Sequence, residues 1–142
     1  MATLKISNLS VGDWVRFKGE YRTISSIYHN GVAYVDEVAL IRNGICTGVE
    51  FVSELRPIPI TAEILEKNGW SNDGMYATLR IDEHLHLEYY YHEHRLRKYF
   101  CGVDEWQNHA KVNDITFTAH CYSVHQLQHA LRLAGVEKEI TL

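Results

Sequence analysis

The only two prolines of the 142-residue chain stand two positions apart, in Arg56-Pro57-Ile58-Pro59-Ile60, and they separate two stretches of different pattern. Proline fixes its own φ, lacks a backbone N–H and biases the residue before it to an extended conformation. Neither a helix nor a central strand runs through such a segment. The boundary therefore predicts an all-β part, residues 1–56, and a mixed part, residues 57–142.

The first part reads as short strands separated by turns. Val11, Val15 and Phe17 alternate with Trp14, Arg16 and Lys18, the period-two signature of a strand with one buried face. Lys18-Gly19-Glu20 reads as a turn, and residues 21–28 carry β-branched and aromatic side chains. Asn30-Gly31 and Asn43-Gly44 are the dipeptides that tight hairpin turns prefer, and they bracket strands over residues 32–41 and 45–52. Four or five short strands so spaced suggest a small barrel or sandwich, of which an SH3-like barrel is the simplest fit.

The second part opens with a helix over residues 61–68. Thr61 is its N-cap, Ala62, Ile64 and Leu65 form its apolar side, and Asn68-Gly69 ends it. Residues 76–81 form a strand. In the next strand Leu85, Leu87, Tyr89 and Tyr91 share one face, and His84, His86, Glu88, Tyr90 and His92 share the other. Residues 96–101 and 115–121 read as further strands, the last with Ile115, Phe117 and Ala119 inward. A polar loop over residues 102–114 holding Trp106 joins them. Ser123 and Gln126 have capping-box spacing at the start of an amphipathic helix over residues 124–134. Val124, Leu127, Ala130, Leu131 and Ala134 fall on its apolar arc, and His125, Gln128, His129 and Arg132 fall opposite. The fold class is α+β: a small β-barrel, then an antiparallel sheet with a terminal amphipathic helix.

Composition excludes several classes. At 46% hydrophobic and 23% charged residues the chain has the makings of a packed core. A net charge of −4 argues against a strong electrostatic grip on nucleic acid. Cys46, Cys101 and Cys121 have neither C-x-x-C spacing nor an even count, so they read as reduced thiols. The first residues lack an apolar leader, and no stretch reaches the ~18 apolar residues of a membrane span. The expected compartment is the cytoplasm.

Four constellations bear on chemistry. His84, His86 and Glu88 project in succession from one strand, and imidazole and carboxylate suit a transition metal. Three successive same-face side chains tend to diverge, however, so a solvated polar face is the expectation. Cys101 or Cys121 beside a histidine could form a Cys–His pair, but nothing local activates either thiol. Trp14, Arg16 and Lys18 combine aromatic and basic groups on one strand, a pattern that can stack bases and meet phosphates; Arg95, Arg97 and Lys98 cluster near Tyr99. Tyr89, Tyr90 and Tyr91 with Trp106 offer amphipathic area of the kind protein interfaces use.

Three segments together resemble a known family. Leu9-Ser10-Val11-Gly12-Asp13-Trp14-Val15 resembles an L-x-x-G-N-W-V opening. Pro57-Ile58-Pro59-Ile60-Thr61 with Leu65 and Gly69-Trp70 resembles P-I-P-L-T-x-x-x-L-x-x-x-G-F. Val124-His125-Gln126-Leu127-Gln128 resembles Y-V-H-Q-L-Q-N without its first and last residues. The order is that of a family of uncharacterised small proteins from Bacteroidetes genomes and their phages or prophages. The resemblance implies a mobile-element origin and no particular activity. Asp13, Ser123 and His129 depart from the family pattern of Asn, Tyr and Asn. Helical phase buries Val124 and Leu127 but does not call for His125 and Gln128, which become candidates for a polar contact within the protein or to a partner.

These readings lead to a non-enzymatic accessory or protein-binding protein without a cofactor, its partner an unidentified protein or a second copy. The alternatives are a nucleic-acid-binding module using the first part and a metal-dependent enzyme using His84, His86 and Glu88. The candidate binding residues are His125, Gln128, Trp14, Arg16, Lys18, Tyr90 and Trp106.

Overall fold

The computed structural model describes residues 4–30, 35–103 and 111–142. It is a mixed α+β protein with two antiparallel sheets and two α-helices among these residues. The chain divides into two compact units, residues 1–59 with 123–125 and residues 60–122 with 126–142.

The first unit contains β1 (Trp14–Phe17), β2 (Glu20–Asn30), β3 (Val35–Arg42), β4 (Ile45–Phe51) and β5 (Leu55–Arg56). They form one sheet in the order β4-β3-β2-β1-β5. Consecutive left-handed residues make two of its turns, Lys18 and Gly19 (φ 48° and 79°) and Asn43 and Gly44 (φ 51° and 77°). Such pairs match the twist of the strands they join, which is why Asn43-Gly44 is legible as a hairpin turn. The Asn30-Gly31 turn runs outside the described residues. Val15, Ile24, Val38, Leu40, Val52 and Leu55 make one buried aliphatic cluster, with Phe17 and Ile27 packed against it. Buried Asp13 accepts from the Ser10 N–H at 2.8 Å, so the carboxylate organises the turn into β1.

The expected closed barrel is not formed. Among the described residues β4 and β5 are the two edges of an open sheet. β5 is only two residues long and runs directly into Pro57, so it has too few donors to close the ring. Lys18, expected on the β1 face, lies in the turn with its ammonium 5.2 Å from the Phe17 ring centre.

The second unit contains α1 (Ala62–Lys67), β6 (Ser71–Asn72), β7 (Tyr76–Arg80), β8 (Leu85–Tyr90), β9 (Arg95–Val103), β10 (Lys111–His120) and most of α2 (Val124–Leu133). The sheet is an up-and-down meander, β10-β9-β8-β7-β6. Thr61 caps α1, accepting from the Ile64 N–H at 3.2 Å. Ala77, Leu79, Leu87, Tyr89 and Leu96 are buried on one face of the sheet. Lys98 runs from that face to the Ala134 carbonyl at the end of α2, 2.7 Å away, which places the helix on the same side. A cation there also meets the negative end of the helix dipole. The buried stripe of Leu127, Ala130, Leu131 and Ala134 follows the expected helical phase.

Three expectations about this unit are corrected. A bulge at Thr116 shifts the β9–β10 register, so Ile115 opposes Tyr99 and is exposed while Phe117 and Ala119 oppose the core-side Lys98 and Leu96. The predicted loop over residues 102–114 is in part strand, because β9 and β10 continue as a hairpin to Val103 and from Lys111. His84 precedes β8, and Tyr91 and His92 follow it in the turn, so none of the three shares the strand's alternation.

Candidate functional site

The alternation of β8 puts His86, Glu88 and Tyr90 on the face turned away from Leu87 and Tyr89. Register brings Tyr76, Thr78 and Arg80 beside them from β7, and Arg95, Arg97 and Tyr99 from β9. The side chains pair closely. The Tyr90 hydroxyl donates to Glu88 Oε2 at 2.8 Å, and His86 Nε2 stands 3.4 Å from Glu88 Oε1. The His86 ring stacks on Tyr99 at 5.1 Å, and the Tyr90 ring meets Tyr76 at 5.5 Å. The Arg97 guanidinium lies 5.2 Å from the Tyr90 ring centre and 3.9 Å from Glu93, which also meets Arg95 at 3.6 Å.

These contacts set the electrostatics. Burial, then bonding with Tyr99 and Glu88, pushes the Tyr90 hydroxyl well above the usual phenol range. The Tyr99 hydroxyl bonded to Arg97 raises the guanidinium further. Tyr89, on the core side, donates to the Cys121 carbonyl at 2.7 Å, and burial raises its hydroxyl too. Burial alone pushes the Cys121 thiol up to about 12, so it is a packed apolar group at neutral pH. The arrangement orders charge, hydrogen-bonding groups and π-faces on one face of the sheet.

Of the proposed metal ligands, the structure brings His86 and Glu88 together but not His84, whose ring lies 5.6 Å from Phe100. Among the described residues no group of three or more histidine, cysteine or carboxylate side chains is placed to hold a metal.

The remaining candidates scatter. His125 is only 3% exposed, and its Nδ1 lies 2.9 Å from the Ser123 hydroxyl. The Val124 N–H donates to the Ile58 carbonyl at 2.8 Å, and Ser123 bridges to Pro59, so the proline linker satisfies an end-of-helix donor. The polar contact expected of His125 is thus an internal one. Gln126 reaches back as a cap, but to the Tyr122 N–H at 2.7 Å, one residue earlier than a simple capping box. Gln128 is half-buried, and Trp106 lies outside the described residues.

On the outward face of the first sheet, Arg16 stands between Arg56 and Tyr21 in one cross-strand row, with Trp14 two positions along. Sequence reasoning missed Arg56 because it is brought there by β5 pairing back to β1. It also missed the Arg97–Tyr90 and Tyr99–His86 stacks. Beginning β9 at Arg95 rather than at residue 96 would have put Arg95, Arg97 and Tyr99 on one face by alternation.

No helix among the described residues is long and apolar enough to cross a membrane. No protein-family model, curated protein or solved structure matches the chain.

Proposed function

We propose that this chain is a non-enzymatic accessory protein that recognises a protein partner through the outward face of its second sheet. The observation behind this reading is the paired set His86, Glu88, Tyr90, Arg97 and Tyr99 on adjacent strands. Tyr and Arg are the side chains that most often dominate binding energy at interfaces. Side chains already held by neighbours lose less rotamer freedom on association. The raised hydroxyls of Tyr89 and Tyr90 and the Cys121 thiol near 12 keep these groups protonated at neutral pH, so none of them is a ready base or nucleophile, in keeping with a non-catalytic reading. With the family resemblance, the proposal extends to a phage- or prophage-encoded protein working in a bacterial cytoplasm.

The test is affinity capture from a Bacteroidetes host lysate, followed by titration with the purified captured protein. The double variant Tyr90→Ala, Arg97→Ala should melt as a folded protein and bind at least about tenfold more weakly than the original. Equal binding by both would overturn the assignment of this face.

A second reading rests on the row Arg56, Arg16 and Tyr21 with Trp14, a local basic and aromatic patch on an acidic protein. It is a single-stranded nucleic-acid site on the first sheet. Gel shifts with single-stranded DNA and RNA should then weaken steeply with salt, and the double variant Arg16→Ala, Arg56→Ala should flatten that dependence. Absence of any shift at low salt would remove this reading.

A further inference from the structure

Among the described residues β4 pairs with β3 on one side and with no strand on the other. Its free side carries backbone N–H and C=O groups whose complement is another extended chain. Most of that edge is unusable for regular pairing near its start. The β3–β4 register slips between Leu40 and Ile41, leaving Thr47 as a bulge, so the longest uninterrupted ladder runs over residues 48–51 and only Ile45 and Cys46 pair beyond it. Gly48, at φ 145°, takes a conformation that side chains rarely adopt.

Within that window the side chains are unusual for a solvent edge. Val49 and Phe51, two residues apart and so on one face, are 50% and 48% exposed. Register continues the row from Phe51 through Glu37 to Tyr28, itself 50% exposed. The charge is one-sided. The Glu50 carboxylate lies along Gly48, where a Cβ would stand 3.2 Å from its Oε1. Glu37 opposes Phe51, and Glu54 is exposed in the turn that follows. The basic groups near the start of the strand, Arg22 and Arg42, are both drawn to Glu20. The opposite edge offers no equivalent, since β5 has two residues and leads into Pro57 and Pro59, which have no N–H to give.

We infer that β4, over residues 48–51, is an acceptor edge for an extended peptide segment in which apolar and basic residues alternate. The incoming backbone extends the sheet, its apolar side chains lie beside Val49 and Phe51, and its alternate cations fall on the other face, with Glu50. This surface is separate from the second-sheet face proposed above.

The probe is a capped, dye-labelled peptide of about eight residues alternating valine and lysine, titrated into the full chain at low salt. Binding should rise in anisotropy, shift the amide resonances of residues 48–51 and weaken as salt is added. A version with alternate backbone amides N-methylated, a version with glutamate for lysine, and the variant Val49→Lys should each bind at least about tenfold more weakly. Phe51→Lys provides the same test if Val49→Lys alters the melting temperature. Binding of the N-methylated or the glutamate peptide as tight as that of the parent would overturn the inference, as would shifts confined to other residues or no binding at all. A dimer in light scattering that Val49→Lys dissociates would also overturn it, since the edge would then belong to a second copy. The variant Tyr90→Ala, Arg97→Ala should bind the peptide unchanged, which keeps failure here distinct from failure of the proposed partner face.

Discussion

The two sheets have the same number of strands and are held by different means. The first is stabilised chiefly by an aliphatic cluster of Val15, Ile24, Val38, Leu40, Val52 and Leu55, in which contact area matters and direction does not. The second adds directional ties to its apolar core: Tyr89 to the Cys121 carbonyl, Lys98 to the Ala134 carbonyl, and Asn68 to the C-terminal tail. The reason lies in what each must immobilise. The first sheet pairs its hairpins side by side. The second must fix two helices and an extended tail, and an apolar stripe leaves those free to slide along the sheet. Hydrogen bonds set the register that burial leaves open.

Substitutions can break or sharpen this contrast. The largest effects should be equal in both units, because both depend on apolar packing. Leu40→Ala in the first sheet and Leu127→Ala in α2 each empty a fully buried site and should cost about 2–5 kcal/mol in urea unfolding. A much smaller cost for Leu127→Ala would mean that α2 does not seal its sheet.

The contrast should appear at Asn68. Its Nδ2 donates to the Ile64 and Thr141 carbonyls, each at 2.8 Å, and its Oδ1 accepts from the Thr141 N–H at 2.8 Å. Asn68→Ala takes this partner from the Thr141 carbonyl and N–H and should cost about 1–3 kcal/mol, with rapid hydrogen exchange at Thr141. Slow exchange there in the variant would show that the tail is held by Ile140 and its apolar neighbours instead. Lys98→Met keeps the stem but removes the cap on α2. It should cost about 1 kcal/mol, read as a fall in melting temperature. No change would reduce Lys98 to a packing residue.

The smallest effect is electrostatic. Asp82 accepts from the His84 and Leu85 N–H groups, each at 2.8 Å, and the His84 bond leads in holding its carboxyl below the ordinary 3.8. Asp73 is lowered in the same way, first by the Tyr76 N–H. A depressed carboxyl stabilises the fold above its unfolded value and loses that contribution as pH falls through its folded value. Below about pH 4, therefore, the second unit should weaken with falling pH, and Asp82→Asn should flatten that limb in an acid titration of its melting temperature. An unchanged limb would assign the acid sensitivity to other carboxylates.

How much of this was legible in the chain depends on the range of the interaction that decides each feature. Thr61 and Asn68-Gly69 marked α1 because caps act within one turn. Lys18-Gly19-Glu20 marked a turn and Asn43-Gly44 a hairpin because the left-handed pair is a local property. Alternation separated Leu87 and Tyr89 from His86 and Glu88 because strand geometry has a period of two. The same rule misplaced Ile115, since a bulge at Thr116 is an agreement between two strands and leaves no trace in one.

By itself, then, the sequence determined the class of the longer elements, most of their turns and the stripe that α2 buries, all consequences of steric and periodic rules acting over a few residues. Only the tertiary structure decided that the first sheet stays open and that Arg56 joins Arg16. The burial of His125 beside Ser123 and the pairing of Arg97 with Tyr90 were settled there too. Those features depend on residues far apart in the chain meeting in space. Their energy is spread over partners that no local pattern names, so they exist only once the sheets have assembled.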